Sequence, residues 1–244
     1  MLMIPTEIRL TRPGILMEGR DVSAASLGLC ARLFTWTLVS CILLSLAGCA
    51  APGRIEDFTT VVIDAGHGAH DPGARSPFST PEKNLALDTA KRLEKHLRRA
   101  GFRTVMTRST DKFIPLDRRA QISNRTGNAI FVSIHYNWSP KRSSNGIETY
   151  YYSGGNRDSR ILARNVQREL LKLRVTNRGV KTARFRVLRL AKHPAILVEG
   201  GFLSSPSDAR KINRASYRDA IAKRVADGII RSRYGTLNPF ARGG

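Results

Sequence analysis

Residues 129–135 form a run, Ala-Ile-Phe-Val-Ser-Ile-His, that is apolar at nearly every position. A strand with one solvated face alternates apolar and polar residues, whereas a strand covered on both faces is apolar almost throughout. The run therefore predicts a central strand with helices packed on both sides of its sheet. The composition agrees with a globular domain, since 41% of the residues are hydrophobic and 25% are charged.

Apolar strands and amphipathic helices alternate along the rest of the chain. The predicted strands are residues 58–64, 102–107, 129–135, 146–152, 185–190 and 195–199, and the predicted helices are residues 81–100, 116–125, 159–173 and 217–234. Pro81 suits the first turn of the first helix, and Gly101 ends it. Strands spaced by helices of this length predict the α/β class: a single domain with a mostly parallel twisted sheet and helices on both faces.

Four ionisable side chains lie where an active site is expected in such a sheet. His67 follows the first predicted strand, His135 closes the central strand and Glu199 closes the last strand. Glu82 stands near the start of the first helix, shortly after the loop that carries His67. Active sites of open α/β sheets gather beyond the carboxyl ends of the strands, so these four residues are expected to face one crevice.

Two imidazoles and one carboxylate, from His67, His135 and Glu82, make the ligand set of a catalytic zinc site with one position left for water. Glu199 is the candidate for the base that takes the water proton, because a carboxylate after Ala-Ile-Leu-Val is costly to bury unless it is paired or used. The spacing is scattered, without a compact His-Glu-x-x-His, and leaves open that the histidines are satisfied structural groups.

Motifs in one order span nearly all of the region from about residue 59 to residue 234. They are Val61-Val62-Ile63-Asp64-Ala65-Gly66-His67-Gly68, Asp71-Pro72-Gly73, Glu82-Lys83-Asn84-Leu85-Ala86-Leu87, Thr107-Arg108, Ser133-Ile134-His135-Tyr136-Asn137, Gly146-Ile147-Glu148, Arg178-Gly179-Val180-Lys181 and Pro194-Ala195-Ile196-Leu197-Val198-Glu199-Gly200-Gly201-Phe202-Leu203-Ser204. In this order they resemble the zinc-dependent N-acetylmuramoyl-L-alanine amidases of the amidase_3 family, which are peptidoglycan hydrolases.

The resemblance implies roles for matching positions. His67, Glu82 and His135 would bind Zn²⁺, and Glu199 would be the catalytic carboxylate. The substrate would be peptidoglycan, cut at the amide between N-acetylmuramic acid and L-alanine. Some relatives carry an inhibitory helix after the Gly-x-Glu strand; here residues 153–158 are too short for one, so we expect an open site that needs no activator.

The sequence departs from the family pattern at four positions. Asn128 stands where Asp is frequent, and Ser205 stands where Asn is common. Tyr136 and Trp138 replace smaller residues, with two interpretations: they narrow the cleft, or they stack against sugar or peptide. None of the four is a proposed ligand or the proposed base, so the chemistry is unaffected.

Five further polar residues have competing interpretations. His70 is read as a solvent-facing loop residue and Asp71 as shaping its own Asp-Pro-Gly turn. Asn137 either hydrogen-bonds near the metal or serves a turn, and Glu148 either supports the site or lies on a plain strand face. For Arg119, a structural ion pair is favoured over contact with a substrate carboxylate.

The N-terminal segment predicts export and anchoring. Residues 33–48 form an apolar run with the length of a signal-peptide core, and the run ends in Leu46-Ala47-Gly48-Cys49. This ending resembles the lipobox of bacterial lipoproteins, in which the cysteine is lipidated and becomes the new N-terminus. A short transmembrane anchor or an uncleaved signal is the alternative. The segment before the run is long, which makes Met17 an alternative start.

The expected organisation is a signal peptide over residues 1–48, lipidated Cys49 and a tether over 49–57, a catalytic domain over 58–236 and a tail over 237–244. The chain has three cysteines, Cys30, Cys41 and Cys49. The first two would leave with the signal and the third would carry lipid, which excludes thiol catalysis and cysteine-ligated zinc.

The chain carries a formal net charge of +22. Residues 1–48 hold four basic and three acidic side chains, so the mature protein would carry +21. Such a surplus implies an anionic partner. For a lipoprotein anchored at the outer membrane and facing the periplasm, the partners expected are peptidoglycan and the membrane, not nucleic acid. We expect a monomer.

Two other functions stay open. A catalytically silent lipoprotein would bind the wall without cutting it, although the presence of all four chemical residues argues against this. A zinc peptidase would cut within the stem peptide instead of at the sugar.

Overall fold

A computed structural model describes residues 54–55 and 58–235. The predicted signal peptide, lipidated Cys49, most of the tether and the tail over 237–244 lie outside the described residues. None of the helices in the described part is long and apolar enough to cross a membrane.

Six strands of the described residues form one sheet in the order β2-β1-β3-β6-β4-β5. They are β1 (Thr60–Ala65), β2 (Arg103–Met106), β3 (Ala129–Asn137), β4 (Ile147–Tyr151), β5 (Asn177–Thr182) and β6 (Ala195–Phe202). The first three strands and β6 run parallel, β4 pairs antiparallel with β6, and β5 runs parallel to β4. The predicted single α/β domain with a mostly parallel sheet is confirmed.

Helices cover both faces of the sheet. In the described residues they are α1 (Glu82–Arg99), α2 (Leu116–Asn124), α3 (Asp158–Leu170), α4 (Arg186–Arg189), α5 (Pro206–Ile212) and α6 (Ala215–Tyr234), and a 3₁₀ turn (Leu171–Leu173) follows α3. The long helices α1, α3 and α6 pack together on the side of the larger apolar cluster. The short α2 and α4 pack on the other side, over a smaller cluster.

Alternation along the strands determines which side chains point to the face of the sheet on which the short helices α2 and α4 pack. Ile130, Val132 and Ile134 of β3 belong to the larger cluster, whereas Phe131 belongs to the smaller one. Side chains of a strand alternate between faces, so His135 points to the same side as Phe131. The short helices leave part of this side uncovered, and the candidate site lies there.

Four local expectations were wrong. Residues 185–190 were predicted as a strand but contain α4, since one helical turn is enough to bury Val187 and Leu188. Strand β5 was missed because it is an edge strand whose side chains are mostly polar. Helix α5 was also missed, and β6 continues past Glu199 to Phe202, so that Glu199 lies inside its strand.

A buried ion pair ties α2 to the end of β1. Arg119 Nη1 donates to Asp64 Oδ1 at 2.9 Å, and both side chains are almost fully buried. Asp64 also accepts hydrogen bonds from the hydroxyls of Thr107 and Ser133. A carboxylate in this position is tolerated only because several donors replace its lost hydration. The favoured interpretation of Arg119, a structural ion pair, is therefore the one observed.

Replacing Arg119 with Met is expected to lower the free energy of unfolding by about 3–5 kcal/mol, because it leaves Asp64 buried without its cation. Urea denaturation followed by circular dichroism measures this change. Arg118→Met, at the adjacent arginine, is the matched control. The Arg118 side chain is exposed, so its free energy of unfolding is expected to stay within about 0.5 kcal/mol of the wild-type value. Equal stability of the two variants would contradict the role given to the ion pair.

Candidate metal centre

The three predicted ligands lie together at the carboxyl edge of the parallel strands. One donor atom from each of His67, Glu82 and His135 falls within 4.8 Å of the others. His67 Nε2 lies 3.0 Å from Glu82 Oε2, and His135 Nδ1 lies 2.8 Å from Glu82 Oε1. Two ring nitrogens thus converge on one carboxylate, as expected for a group of metal donors.

Two glycines make room for these side chains. A Cβ built on Gly66 would lie 2.4 Å from the His135 ring, and one built on Gly73 would lie 2.5 Å from Glu82 Oε2. A side chain at either position would therefore displace a candidate ligand. Gly73 also has a φ of +66°, which favours glycine.

Backbone hydrogen bonds hold the Glu82 carboxylate in place. Glu82 is the first residue of α1 and is buried. Its Oε1 accepts the backbone N–H of Tyr136 at 3.0 Å and its Oε2 accepts that of Ala74 at 2.8 Å. Burial alone would raise the pKa of Glu82, but hydrogen bonds from His135 and His67 outweigh it and hold the pKa well below its usual range. The carboxylate is therefore ionised and oriented.

His67 is held in a strained conformation by its neighbours. Its φ of 60° is rare for a residue with a side chain. Arg119 Nη2 donates to the His67 carbonyl at 2.7 Å, and the Nδ1 of the ring lies 2.8 Å from Asp71 Oδ2. With Nδ1 bonded to a carboxylate, Nε2 is the nitrogen left to bind a metal.

Asp71 has two contacts, of which the sequence indicated one. Its Oδ1 accepts the backbone N–H of Gly73 at 3.0 Å, which is the predicted turn. The hydrogen bond that Oδ2 accepts from His67 Nδ1 was missed, although a carboxylate four residues after a candidate ligand is the signal that points to it. Burial lowers the pKa of His67, but the carboxylates of Glu82 and Asp71 outweigh burial and raise that pKa above its ordinary value.

Glu199 lies beside the three candidate ligands on the sheet. It pairs with His135 on β3 and with Glu148 on β4, so the three side chains form one row across adjacent strands. Its Oε2 is buried and has no hydrogen-bond partner among the described residues. Burial and the nearby charges of Glu82 and Glu148 raise the pKa of Glu199 well above its usual range.

Glu148 supports this row and is not a plain strand face. It is buried, and Oε1 accepts hydrogen bonds from Asn137 Nδ2 at 2.6 Å and from the Tyr150 hydroxyl at 2.8 Å. Oε2 accepts hydrogen bonds from Arg178 and Lys181 of the missed strand β5. Burial raises the pKa of Glu148, but these donors lower it overall, so the group stays ionised behind Glu199.

The row opens into a cleft of about 840 Å³ that His67, Glu82, His135 and Glu199 help to line. Tyr136, which was expected to narrow the cleft or stack against a substrate, has its ring in the core and its hydroxyl 2.6 Å from that of Thr89. The ring follows the strand alternation to the side opposite His135. His70 is exposed, as its loop position indicated.

The donor chemistry fits a divalent cation. Nitrogen and carboxylate donors suit a borderline metal such as zinc. The buried, unpartnered oxygen of Glu199 lies in a region that already holds the negative charges of Glu82 and Glu148, and a cation there would compensate all three. Such a donor set, in a cleft at the carboxyl edge of a sheet, is typical of metal-dependent hydrolases.

Comparison with known proteins gives the family. The Amidase_3 family model, described as N-acetylmuramoyl-L-alanine amidase, matches residues 61–231. The chain therefore belongs to the Amidase_3 family.

Individual relatives agree with this assignment. The N-acetylmuramoyl-L-alanine amidase LytC of Bacillus subtilis is 39% identical over 175 residues, which are 70% of this chain and 35% of the relative. The probable cell wall amidase LytH of Staphylococcus epidermidis is 37% identical over 173 residues, 70% of this chain and 57% of the relative. The chain thus spans about a third to just over half of the length of these curated relatives.

Among solved structures, an N-acetylmuramoyl-L-alanine amidase from Clostridium difficile 630 superposes with a TM-score of 0.69 at 34% identity. The match covers 77% of this chain and all of the other chain.

Replacing His67 or His135 with Ala is expected to abolish metal binding, because each change removes one of three donors. Elemental analysis of the purified variants measures the bound metal. His70→Ala is the matched control, since it removes an exposed histidine from the same loop, and it should keep a full complement of metal. Full metal content in both ligand variants would show that the site lies elsewhere.

Proposed function

We propose that the protein hydrolyses the amide between N-acetylmuramic acid and L-alanine in peptidoglycan, with a zinc ion held by His67, Glu82 and His135. The observation that carries this proposal is the convergence of three donor atoms within 4.8 Å, beside Glu199, in a chain of the Amidase_3 family.

When held by these side chains, zinc supplies a Lewis acid that polarises the scissile carbonyl and lowers the pKa of water. Glu199 is the general base: its unpartnered Oε2 accepts a proton from the attacking water. The same carboxyl then gives that proton to the departing L-alanine nitrogen. A group that accepts and returns a proton works best with a pKa near the ambient pH, and burial and the neighbouring carboxylates shift the pKa of Glu199 upward from its usual acidic range.

The remaining contacts fix the geometry for this chemistry. Asp71 holds the His67 ring so that Nε2 faces Glu82. Two backbone N–H groups orient the Glu82 carboxylate. Pre-organised groups need not rearrange as charge develops, which is the main electrostatic advantage of an enzyme over water.

We further propose a place in the cell. Residues 58–236 would be the catalytic domain of a monomer, exported by the signal peptide over 1–48 and held by lipid on Cys49 at the outer membrane, facing the periplasm. LytH is named a cell wall amidase, which supports an envelope location. The charge of +21 on the mature protein would favour contact with anionic wall polymers over a neutral surface.

Digestion of purified peptidoglycan by the zinc-loaded protein, with mass spectrometry of the products, tests the reaction. The proposal expects stem peptides that begin with free L-alanine and glycan that keeps its lactyl groups, without an added activator protein. Products with L-alanine still on the sugar would indicate a stem-peptide peptidase. Binding to the wall without any product would indicate a silent tether.

Glu199→Gln is expected to lower turnover by about 10²-fold or more while zinc stays bound, because the amide keeps the size of the side chain but cannot accept the proton. Turnover on dye-labelled peptidoglycan and zinc content are measured on the same sample. Glu94→Gln, a change of the same kind on the surface of α1, is the control and should leave turnover unchanged. Turnover of the Glu199 variant near that of the wild type would place the base elsewhere.

Cys49→Ser is expected to release the mature protein from membranes into the soluble envelope fraction, because it removes the atom that would carry lipid. Cell fractionation with immunoblotting measures the distribution. A variant that remains in the membrane fraction after losing residues 1–48 would show that lipid on Cys49 is not the anchor.

A further inference from the structure

The large apolar side chains that remain most exposed all lie in one place. In the part of the chain that the structure describes, these are Phe113 (40% exposed), Leu116 (50%), Trp138 (52%) and Phe185 (39%). All four line the cleft that contains the candidate metal ligands. Exposed apolar surface that is concentrated in one cleft marks a surface on which a ligand binds.

Trp138 comes from a different segment than the other three. Phe113 and Leu116 flank the start of α2, and Phe185 precedes α4. These two helices contact each other, and Asp117 and Arg186 form an ion pair between them. Trp138 instead follows β3, three residues after His135, which places its Cα within about 10 Å of that candidate ligand.

The backbone at Trp138 is held firmly although its side chain is exposed. Its N–H donates to Asn137 Oδ1 at 2.8 Å, and the N–H of Ser139 donates to Ser204 Oγ at 3.0 Å. Asn137 is in turn bound to the buried Glu148. The indole N–H has no hydrogen-bond partner among the residues that the structure describes. Trp138 thus presents an exposed apolar ring with one free donor on an anchored backbone.

We propose that Trp138 is the platform on which a sugar ring of the substrate glycan stacks, next to the scissile bond. The inference rests on the proposed amidase function. A pyranose ring has apolar C–H faces and oxygen acceptors at its edge, which match an indole face and its free N–H. The scissile amide is joined to the sugar by a short lactyl group, so the ring must lie close to the ligands, as Trp138 does.

Fluorescence provides a test that does not depend on hydrolysis. The chain has two tryptophans, Trp36 and Trp138, so the full chain with Trp36→Phe emits from Trp138 alone. Peptide-free glycan chains of alternating N-acetylglucosamine and N-acetylmuramic acid should shift this emission saturably. Stem peptides released from the same peptidoglycan should not. A shift with peptides alone, or with neither ligand, would overturn the proposal.

Kinetics provide the second test. Trp138→Ala should raise KM for peptidoglycan by about 10-fold and leave kcat within about 2-fold, because stacking acts on the bound sugar equally before and during reaction. Trp138→Phe should recover most of the loss by keeping an aromatic face. A fall in kcat with unchanged KM, or a Phe variant as poor as the Ala variant, would refute stacking.

Phe78→Ala is the matched control, since it removes a partly exposed aromatic side chain that does not line this cleft. It should leave the binding of peptide-free glycan chains unchanged, and circular dichroism checks that each variant is folded. If the wild type binds these chains through Trp138 but releases no stem peptide, the proposed function fails and the sugar platform stands. If the wild type cuts the wall and the Trp138 emission does not change with glycan, the sugar platform fails and the proposed function stands.

Discussion

Two buried arginines hold the loop that carries the first candidate ligand. Arg119 donates to Asp64 and to the carbonyls of Ala65 and His67, and Arg108 donates to the carbonyls of Ala65 and Gly66. These guanidinium groups donate to backbone carbonyls at the end of β1, where the strand pairing stops. A buried carbonyl without a hydrogen bond would cost free energy. His67 keeps its positive φ because both its carbonyl and its ring are bonded, so the position of this candidate ligand depends on the loop that the two guanidinium groups hold.

The environments of two glutamates differ although they lie in one site. Glu82 accepts hydrogen bonds on both carboxylate oxygens and stays ionised. Glu199 has one oxygen without a hydrogen-bond partner among the described residues, and its pKa is raised. Desolvation acts on both, and the difference comes from hydrogen bonding. This contrast separates a carboxylate suited to hold a cation from a carboxyl suited to move a proton. Glu148 stays ionised through its ion pairs with Arg178 and Lys181 of β5, and its negative charge contributes to the raised pKa of Glu199.

The unequal layers of helices decide where a polymer can enter. The long helices α1, α3 and α6 pack on one face of the sheet, and only α2 and α4, of 9 and 4 residues, pack against the smaller apolar cluster on the other face. The segment over 152–157, between β4 and α3, contains no helix, and none of its residues lines the cleft. A cleft that is open at the carboxyl edge suits a substrate that is part of an extended network better than a closed pocket would.

The fold class and the candidate ligands could be predicted from the amino-acid sequence, because each depends on local pattern. Apolar runs identified β3 and the core of β6, helical periodicity identified α1, and strand ends identified His67 and His135. Features that depend on pairing between distant segments of the chain could be seen only in the tertiary structure. Strand β5 is polar and forms only because β4 offers a free edge, and the bulged pairing of β3 with β6 extends β6 beyond Glu199. The partners of Glu148, Asp71 and Arg119 likewise come from chain folding, since a buried charge needs neighbours that no local pattern specifies.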